Sequence, residues 1–158
     1  MKSKLFLAAA PAMLALATLS ACSGSAPDVL PRPLSEEVTM LFADIPQGSG
    51  YFGSESTLPF LAPDFSKISD AEYEPAFTEA MAIHKAEIEA IKNRPADTNI
   101  DLTISAMEGS GSTLGRVANV FLSLTDSNTT YTLDEINTTV SPKLSDHFDA
   151  ITIDPVLF

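Results

Sequence analysis

The sequence has few of the residues that support disulfide or metal chemistry: it contains one cysteine and two histidines. One cysteine cannot form an intramolecular disulfide, and without a CxxC pair there is no redox site or zinc knuckle. Basic residues are also scarce, because 9 lysines and arginines stand against 21 acidic residues, giving a formal net charge of -12. Phosphate binding requires clustered lysine and arginine, so we predict no nucleic-acid partner.

Familiar catalytic motifs are missing as well. A catalytic zinc ion needs three protein ligands and an open position, whereas His84 and His147 are the only histidines and neither lies in an HExxH motif. No GxSxG occurs, and Gly109–Ser112 lacks the Gly-Lys-Ser/Thr ending of a phosphate-binding loop. We therefore predict no catalytic residue and no metal ligand in this chain, and two structural histidines.

The first 21 residues have the composition of a secretory signal, with a basic start, an apolar stretch and a small-residue cleavage site. The cleavage site is formed by Leu19, Ser20 and Ala21, and Cys22 follows it. This run resembles the lipobox of bacterial lipoproteins, in which the cysteine becomes the acylated first residue of the mature chain. We predict lipidation at Cys22. An ordinary signal peptide followed by an incidental cysteine is the alternative.

Three regions are predicted: a lipoprotein signal peptide at 1–21, an acylated cysteine with a flexible, disordered tether at 22–57, and a helical region at 58–158. The tether is rich in Ser, Gly and Pro without a sustained period. Its exception is Val38–Phe42, an apolar cluster that either docks on the domain or marks where order begins. The acyl chains would hold the protein to a membrane on the periplasmic side, and Ser23 favours the outer membrane.

Apolar residues at spacings of three and four predict an all-α fold with three helices and the start of a fourth. A turn with capping-box spacing at Ser69 leads into the first helix, over about 75–93. The second spans about 22 residues from Ile100, and the third opens with a capping box at Thr132 after a polar loop. Asp154 then caps the fourth. The predicted apolar faces are Phe77, Met81, His84, Ile88 and Ile91; Ile100, Ile104, Met107, Gly111, Leu114, Ala118 and Phe121; and Leu133, Ile136, Val140, Leu144 and Ile151.

Charged side chains of the first helix lie mostly off its apolar stripe, which predicts a solvated face. The spacing of Lys85 and Glu89, and of Glu89 and Lys92, suits ion pairs worth a few tenths of a kcal/mol, on the order expected for exposed helix pairs. Glu79 and Glu87 are assigned to the same face. In the third helix, Pro142 predicts a kink.

Several sequence blocks from Ser56 onward occur in an order and spacing that chance does not readily produce. They are Ser56–Phe65, Tyr73–Phe77, Ala86–Ile91, Thr103–Gly111, Leu144–His147 and Leu157-Phe158. The stretch from Ser56 to Phe158 that contains them is about two thirds of the chain. It resembles the amino-terminal region of the thimet oligopeptidase family of zinc metallopeptidases, closest to its bacterial peptidyl-dipeptidase (dipeptidyl carboxypeptidase) branch. Leu102 departs from that pattern, which usually has Asn before the threonine.

The resemblance implies a peptidase that binds zinc, hydrolyses short peptides in a deep helical channel and, in this branch, releases carboxy-terminal dipeptides. The family's HExxH helix and its distant glutamate ligand lie far beyond residue 158, so no catalytic or zinc-binding role can be carried onto this chain. We expect this chain to be the inactive amino-terminal part of a parent protein, which would be of exopeptidase or oligopeptidase type. The remainder of that parent chain would cover the exposed apolar faces of these helices. A complete small helical lipoprotein, acting as a binding or structural module, is the alternative.

Overall fold

The computed structural model describes residues 34–95 and 99–157. Their α-helices, in chain order, are α1 (Glu36–Leu41), α2 (Tyr73–Lys92), α3 (Ile100–Gly109), α4 (Ser112–Asn128) and α5 (Tyr131–Thr152). Short 3-10 turns at Gly50–Gly53, Pro59–Leu61, Phe65–Lys67 and Asp70–Glu72 connect α1 to α2. These described residues contain no strand, so the predicted all-α class is confirmed. No helix among them is both long and apolar enough to cross a membrane.

The start of α2 follows the sequence prediction closely. Ser69 and Glu72 form the predicted capping box, in which the Glu72 carboxylate accepts hydrogen bonds from the backbone N–H and the hydroxyl of Ser69 at 2.6 and 2.9 Å. From there α2 runs to Lys92 and packs against α4 and α5. Four of its five predicted stripe residues are buried, and Met81 is half-buried.

The larger core cluster joins α2, α4 and α5 around three aromatic rings. The ring centroid of Phe121 lies 5.1 Å from that of Tyr73 and 5.3 Å from that of Phe77, both in edge-to-face geometry. Such pairs add to the stabilisation that comes from burying their area. The cluster also contains Phe52, Ala80, Leu114, Val117, Leu133, Ile136 and Val140. α5 therefore buries the first three residues of its predicted inward face.

A second, smaller core cluster corrects the prediction of a flexible tether. Val38 and Phe42 are buried against Ile88, Ile91 and Ala106, on α2 and α3. The tether prediction is therefore wrong for residues 34–57, because burying this apolar cluster offsets the entropy of ordering the segment. Of the two roles left open for residues 38–42, docking on the domain is the one observed. The remainder of the predicted tether, 22–33, lies outside the described residues.

The predicted single helix after Ile100 is two helices. Gly111 adopts a φ of +71°, and this left-handed residue separates α3 from α4. Because of this break, the predicted apolar stripe does not face the core along α3. Ile100 and Ile104 are 70% and 51% exposed, while Ala106 is buried. The expectation that these isoleucines face the core is wrong, because the continuous period assumed one uninterrupted helical axis.

The beginning of α5 also differs from the prediction. α4 continues to Asn128, and the hydroxyl of Thr130 accepts the N–H of Leu133 at 3.1 Å, so Thr130 rather than Thr132 caps the helix. The predicted polar loop is thereby reduced to two residues. α5 continues through Pro142 as far as Thr152. After it, the Asp154 carboxylate accepts the N–H of Val156 at 2.8 Å, as a helix cap would, but the described residues that follow form a turn and the predicted start of a fourth helix is not seen there.

Candidate functional site

The structure brings the two histidines together, although 63 positions separate them in sequence. His84 lies on α2 and His147 on α5, and Nε2 of His147 is 3.0 Å from Nδ1 of His84. On its other side, Nε2 of His84 lies 3.4 Å from the hydroxyl of Ser110, at the junction of α3 and α4. The pair thus links three elements, and the predicted structural role of both histidines agrees with this geometry.

The directions of the hydrogen bonds that link His147, His84 and Ser110 follow from the last acceptor in the series, the carbonyl of Met107. The Ser110 hydroxyl donates to the carbonyl of Met107 at 2.8 Å, so its oxygen can accept the Nε2–H of His84. Nδ1 of the neutral His84 ring then accepts the Nε2–H of His147. Burial and the neighbouring His147 lower the pKa of His84 to about 4, and burial together with Lys85 lowers the pKa of His147. Both rings are therefore neutral near pH 7.

Glu87 corrects the prediction of a solvated face on α2. Its side chain is buried, and its carboxylate accepts the N–H of Gly111 at 2.7 Å, at the left-handed turn itself. Burial raises the pKa of Glu87, while the Gly111 N–H and the positive charge of Arg116 act against that rise. A sequence signal existed, since Ala80, Ile83, Glu87 and Ile91 have helical spacing and are all buried.

Arg116 extends this set of buried polar contacts toward the segment before α2. We call the set the polar joint; it comprises His84, His147, Ser110, Glu87, Gly111, Thr113 and Arg116. Its Nε donates to the carbonyl of Phe52 at 3.2 Å, and its Nη2 donates to the hydroxyl of Thr113 at 2.9 Å. Thr113 in turn donates to the carbonyl of Gln47 at 3.2 Å. Buried polar groups with these partners fix one arrangement of the helices, because breaking any contact leaves an unsatisfied buried group.

A cleft of about 500 Å³ opens between α2 and α5 beside His147. Met81, Ile88 and Ile151 give it apolar walls, and Lys85 and Asp146 lie at it. Of the predicted ion pairs, Glu89 with Lys92 is present at 3.0 Å, whereas the part of the chain that the structure describes has no pair between Lys85 and Glu89. The cleft therefore has charged groups of both signs.

The remaining predicted site residues give two outcomes. Leu19, Ser20, Ala21 and Cys22 lie outside the described residues, so cleavage and lipidation stay predictions. Gly109–Ser112 does not form a phosphate cradle but the turn between α3 and α4. Within 34–95 and 99–157, no three His, Cys, Asp or Glu side chains are grouped so that they could hold a metal ion.

These features define an all-α helical lobe with a buried polar joint. No family model matches the chain. It is 38% identical over 104 residues to the dipeptidyl carboxypeptidase of Salmonella typhimurium, and 38% identical over 104 residues to that of Escherichia coli. Each match covers 66% of this chain, which spans about 15% of the length of these curated relatives. The predicted resemblance to bacterial dipeptidyl carboxypeptidases is confirmed as a similarity over this region.

Gly111 gives a first test of the joint. We expect Gly111→Ala to lower the free energy of unfolding by about 2 kcal/mol, since a left-handed conformation costs a residue with a Cβ about 1 to 2 kcal/mol and tight packing adds to it. The new Cβ would lie 3.1 Å from the His84 ring. Urea unfolding followed by circular dichroism measures the change.

The matched control is Gly50→Ala. Gly50 has a φ of +59°, but a Cβ there meets nothing within 4 Å, so this substitution bears only the backbone cost. The difference between the two variants isolates the contact with His84. If both variants lowered the free energy of unfolding equally, the His84 ring would be able to move away from the new Cβ at no cost in free energy.

Proposed function

We propose that this chain is the amino-terminal helical part of a zinc-dependent peptidase that releases dipeptides from the carboxyl ends of short peptides. The observation that carries the proposal is the 38% identity over 104 residues to two bacterial dipeptidyl carboxypeptidases. In this proposal zinc and its ligands belong to the remainder of a parent chain, and the described helices shape access to the substrate channel.

The interior of the lobe supports that division of roles. His84, Glu87 and Arg116 each use their polar atoms on protein partners at the joint between helices. Large apolar side chains such as Ile100, Ile104 and Ile153 are 51% to 78% exposed, a property of surfaces that face other polypeptide. A lobe that is fixed internally and exposes several large apolar side chains is suited to forming a wall.

The decisive experiment is to read the genome beyond the Phe158 codon and to express whatever frame is found. We expect an open frame that reaches an HExxH motif, and a product that removes the carboxy-terminal dipeptide from an amino-blocked tetrapeptide in a chelator-sensitive manner. The 158-residue chain, assayed in parallel, should cleave nothing. A stop codon at that point, or peptide cleavage by the 158-residue chain, contradicts the proposal.

The second candidate is a complete small helical lipoprotein, a binding or structural module. The observation that favours it is the closed core, in which Tyr73, Leu133 and Val38 are all 0% exposed. A cooperative urea transition with no binding of a hydrophobic dye, together with a stop codon after Phe158, would support the module over the peptidase.

We further propose that Cys22 is acylated and holds the protein to the periplasmic face of a bacterial membrane, with Ser23 favouring the outer one. The support is the Leu19 to Cys22 run after an apolar stretch. Metabolic labelling with a palmitate analogue tests it: the wild-type chain should take up label and sediment with membranes, and Cys22→Ser should do neither. Uptake of label by the variant would overturn this assignment.

A further inference from the structure

A second cavity lies where the end of α2, the helix α3 and the turn after α5 meet. It has a volume of about 290 Å³. Arg94, Lys92 and Thr103 supply its polar lining, and Ile91, Val156 and Leu157 supply apolar walls. None of these residues takes part in the joint around His84, so this cavity is a separate feature of the molecule.

The guanidinium of Arg94 is incompletely bonded in this cavity. Its Nη1 donates to the hydroxyl of Thr103 at 3.3 Å, and Thr103 donates onward to the carbonyl of Asn99 at 3.4 Å. Its Nη2 is buried and has no hydrogen-bond partner among the described residues. A buried charged donor without an acceptor is unfavourable, since it has lost water and gained nothing in return.

Lys92, the other cation that lines this cavity, is already bound to two carboxylates. Nζ of Lys92 lies 3.0 Å from the Glu89 carboxylate and 2.8 Å from the Asp154 carboxylate. Arg94 makes no ion pair within the described ranges, 34–95 and 99–157.

We propose that the Arg94 cavity binds a carboxylate attached to an apolar group. A carboxylate matches the fork of a guanidinium, and Arg94 lines the cavity. A phosphate is disfavoured, because Lys92 is already neutralised and Glu89 and Asp154 lie beside it. The walls formed by Ile91, Val156 and Leu157 suit a branched apolar side chain. The carboxyl end of a peptide and a small free carboxylic acid share this chemistry.

The test is calorimetric titration of the full chain with N-acetyl-L-leucine and with its uncharged analogue, N-acetyl-L-leucinamide. We expect the acid to bind with a dissociation constant on the order of 1 mM, as its size allows, and the amide to bind about tenfold more weakly or not at all. Arg94→Gln should weaken binding of the acid by about tenfold, the usual effect of losing a charge-assisted hydrogen bond.

Two further variants keep the test decisive. Lys85→Gln removes an exposed positive charge at the other cleft and should leave binding unchanged, which separates a local effect from net charge. Val156→Phe keeps Arg94 and fills the cavity from a residue that is 66% exposed, so it should abolish binding without unfolding the chain.

Equal binding of acid and amide, or full binding by Arg94→Gln, would overturn the proposal. A tetrapeptide ending in leucine distinguishes the two sources of carboxylate: tighter binding than N-acetyl-L-leucine identifies a peptide end, and equal binding identifies the small acid. The result does not depend on peptidase activity, so it can fail while the proposed function stands.

Discussion

Replacing Phe121 with alanine is expected to lower the free energy of unfolding by about 3 to 5 kcal/mol, the range for removing a buried phenylalanine. Phe121 is 2% exposed and its ring is the only one that contacts both Tyr73 and Phe77 among the aromatic pairs of the described residues. Its loss removes two edge-to-face contacts and leaves a cavity between α2, α4 and α5. Urea unfolding measures the effect, provided that the slope of the free energy of unfolding against urea concentration is the same for the variant and the wild type.

Phe60→Ala is the matched control for this substitution. Phe60 is 96% exposed, so removing the same ring should change stability by no more than about 0.5 kcal/mol. If Phe121→Ala cost less than about 1 kcal/mol, the aromatic cluster would not be the centre of the fold.

Acid should destabilise the protein through His84. Its pKa is lowered from 6.5 to about 4 in the folded chain, mainly by burial, so the unfolded chain binds the proton more tightly. The stability that depends on the neutral ring is complete above pH 6.5 and is lost as the pH falls through about 4. The loss attributable to this ring approaches about 3 kcal/mol, on the scale of about 1.4 kcal/mol for each pKa unit.

Two neighbouring groups, His147 and Glu87, also change how the free energy of unfolding depends on pH. The pKa of His147 is also lowered, which adds to the loss in acid. The pKa of Glu87 is raised, so its contribution to stability is present below its usual pKa and is lost as the pH rises through the folded value. Glu87 therefore opposes the histidines in acid.

Urea unfolding at several pH values between 4 and 7.5 in steps of about 0.5 measures these contributions. His84→Gln should flatten the fall in stability toward acid relative to the wild type. Glu87→Gln should make that fall steeper, because the opposing contribution is gone. Parallel profiles for the wild type and His84→Gln would show that the buried imidazole does not couple folding to protonation.

The parts of the fold that could be predicted are those set by local sequence. α2 has a capping box, a regular apolar stripe and Arg94-Pro95 close after its end, and the observed helix begins and ends within two residues of the prediction. The break at Gly111 could not be predicted from periodicity, because spacings of three and four continue across it. What decides the break is a tertiary contact, since the carboxylate of Glu87 accepts the Gly111 N–H.

The pairings within the polar joint could not be predicted, for a related reason. His84 and His147 were both recognised, but their pairing depends on the path of α4 and α5, which no local pattern specifies. Glu87 lies off the predicted apolar stripe of α2, which places it on the solvated face, and its burial depends on the Gly111 N–H at the turn. Pairwise geometry between distant elements is the information that the sequence pattern did not contain.

The docking of α1 has a consequence for how far the lobe could move from a lipid surface. Because α1 and Phe52 pack on the lobe, residues 34–57 would not lengthen a spacer if Cys22 carries acyl chains, and at most the residues before Leu34 could do so. About 12 residues reach at most about 40 Å when fully extended, against about 120 Å had the spacer run to residue 57. An anchored protein of this kind would sample a thin layer next to the bilayer, where only solutes that diffuse close to the headgroups could meet it.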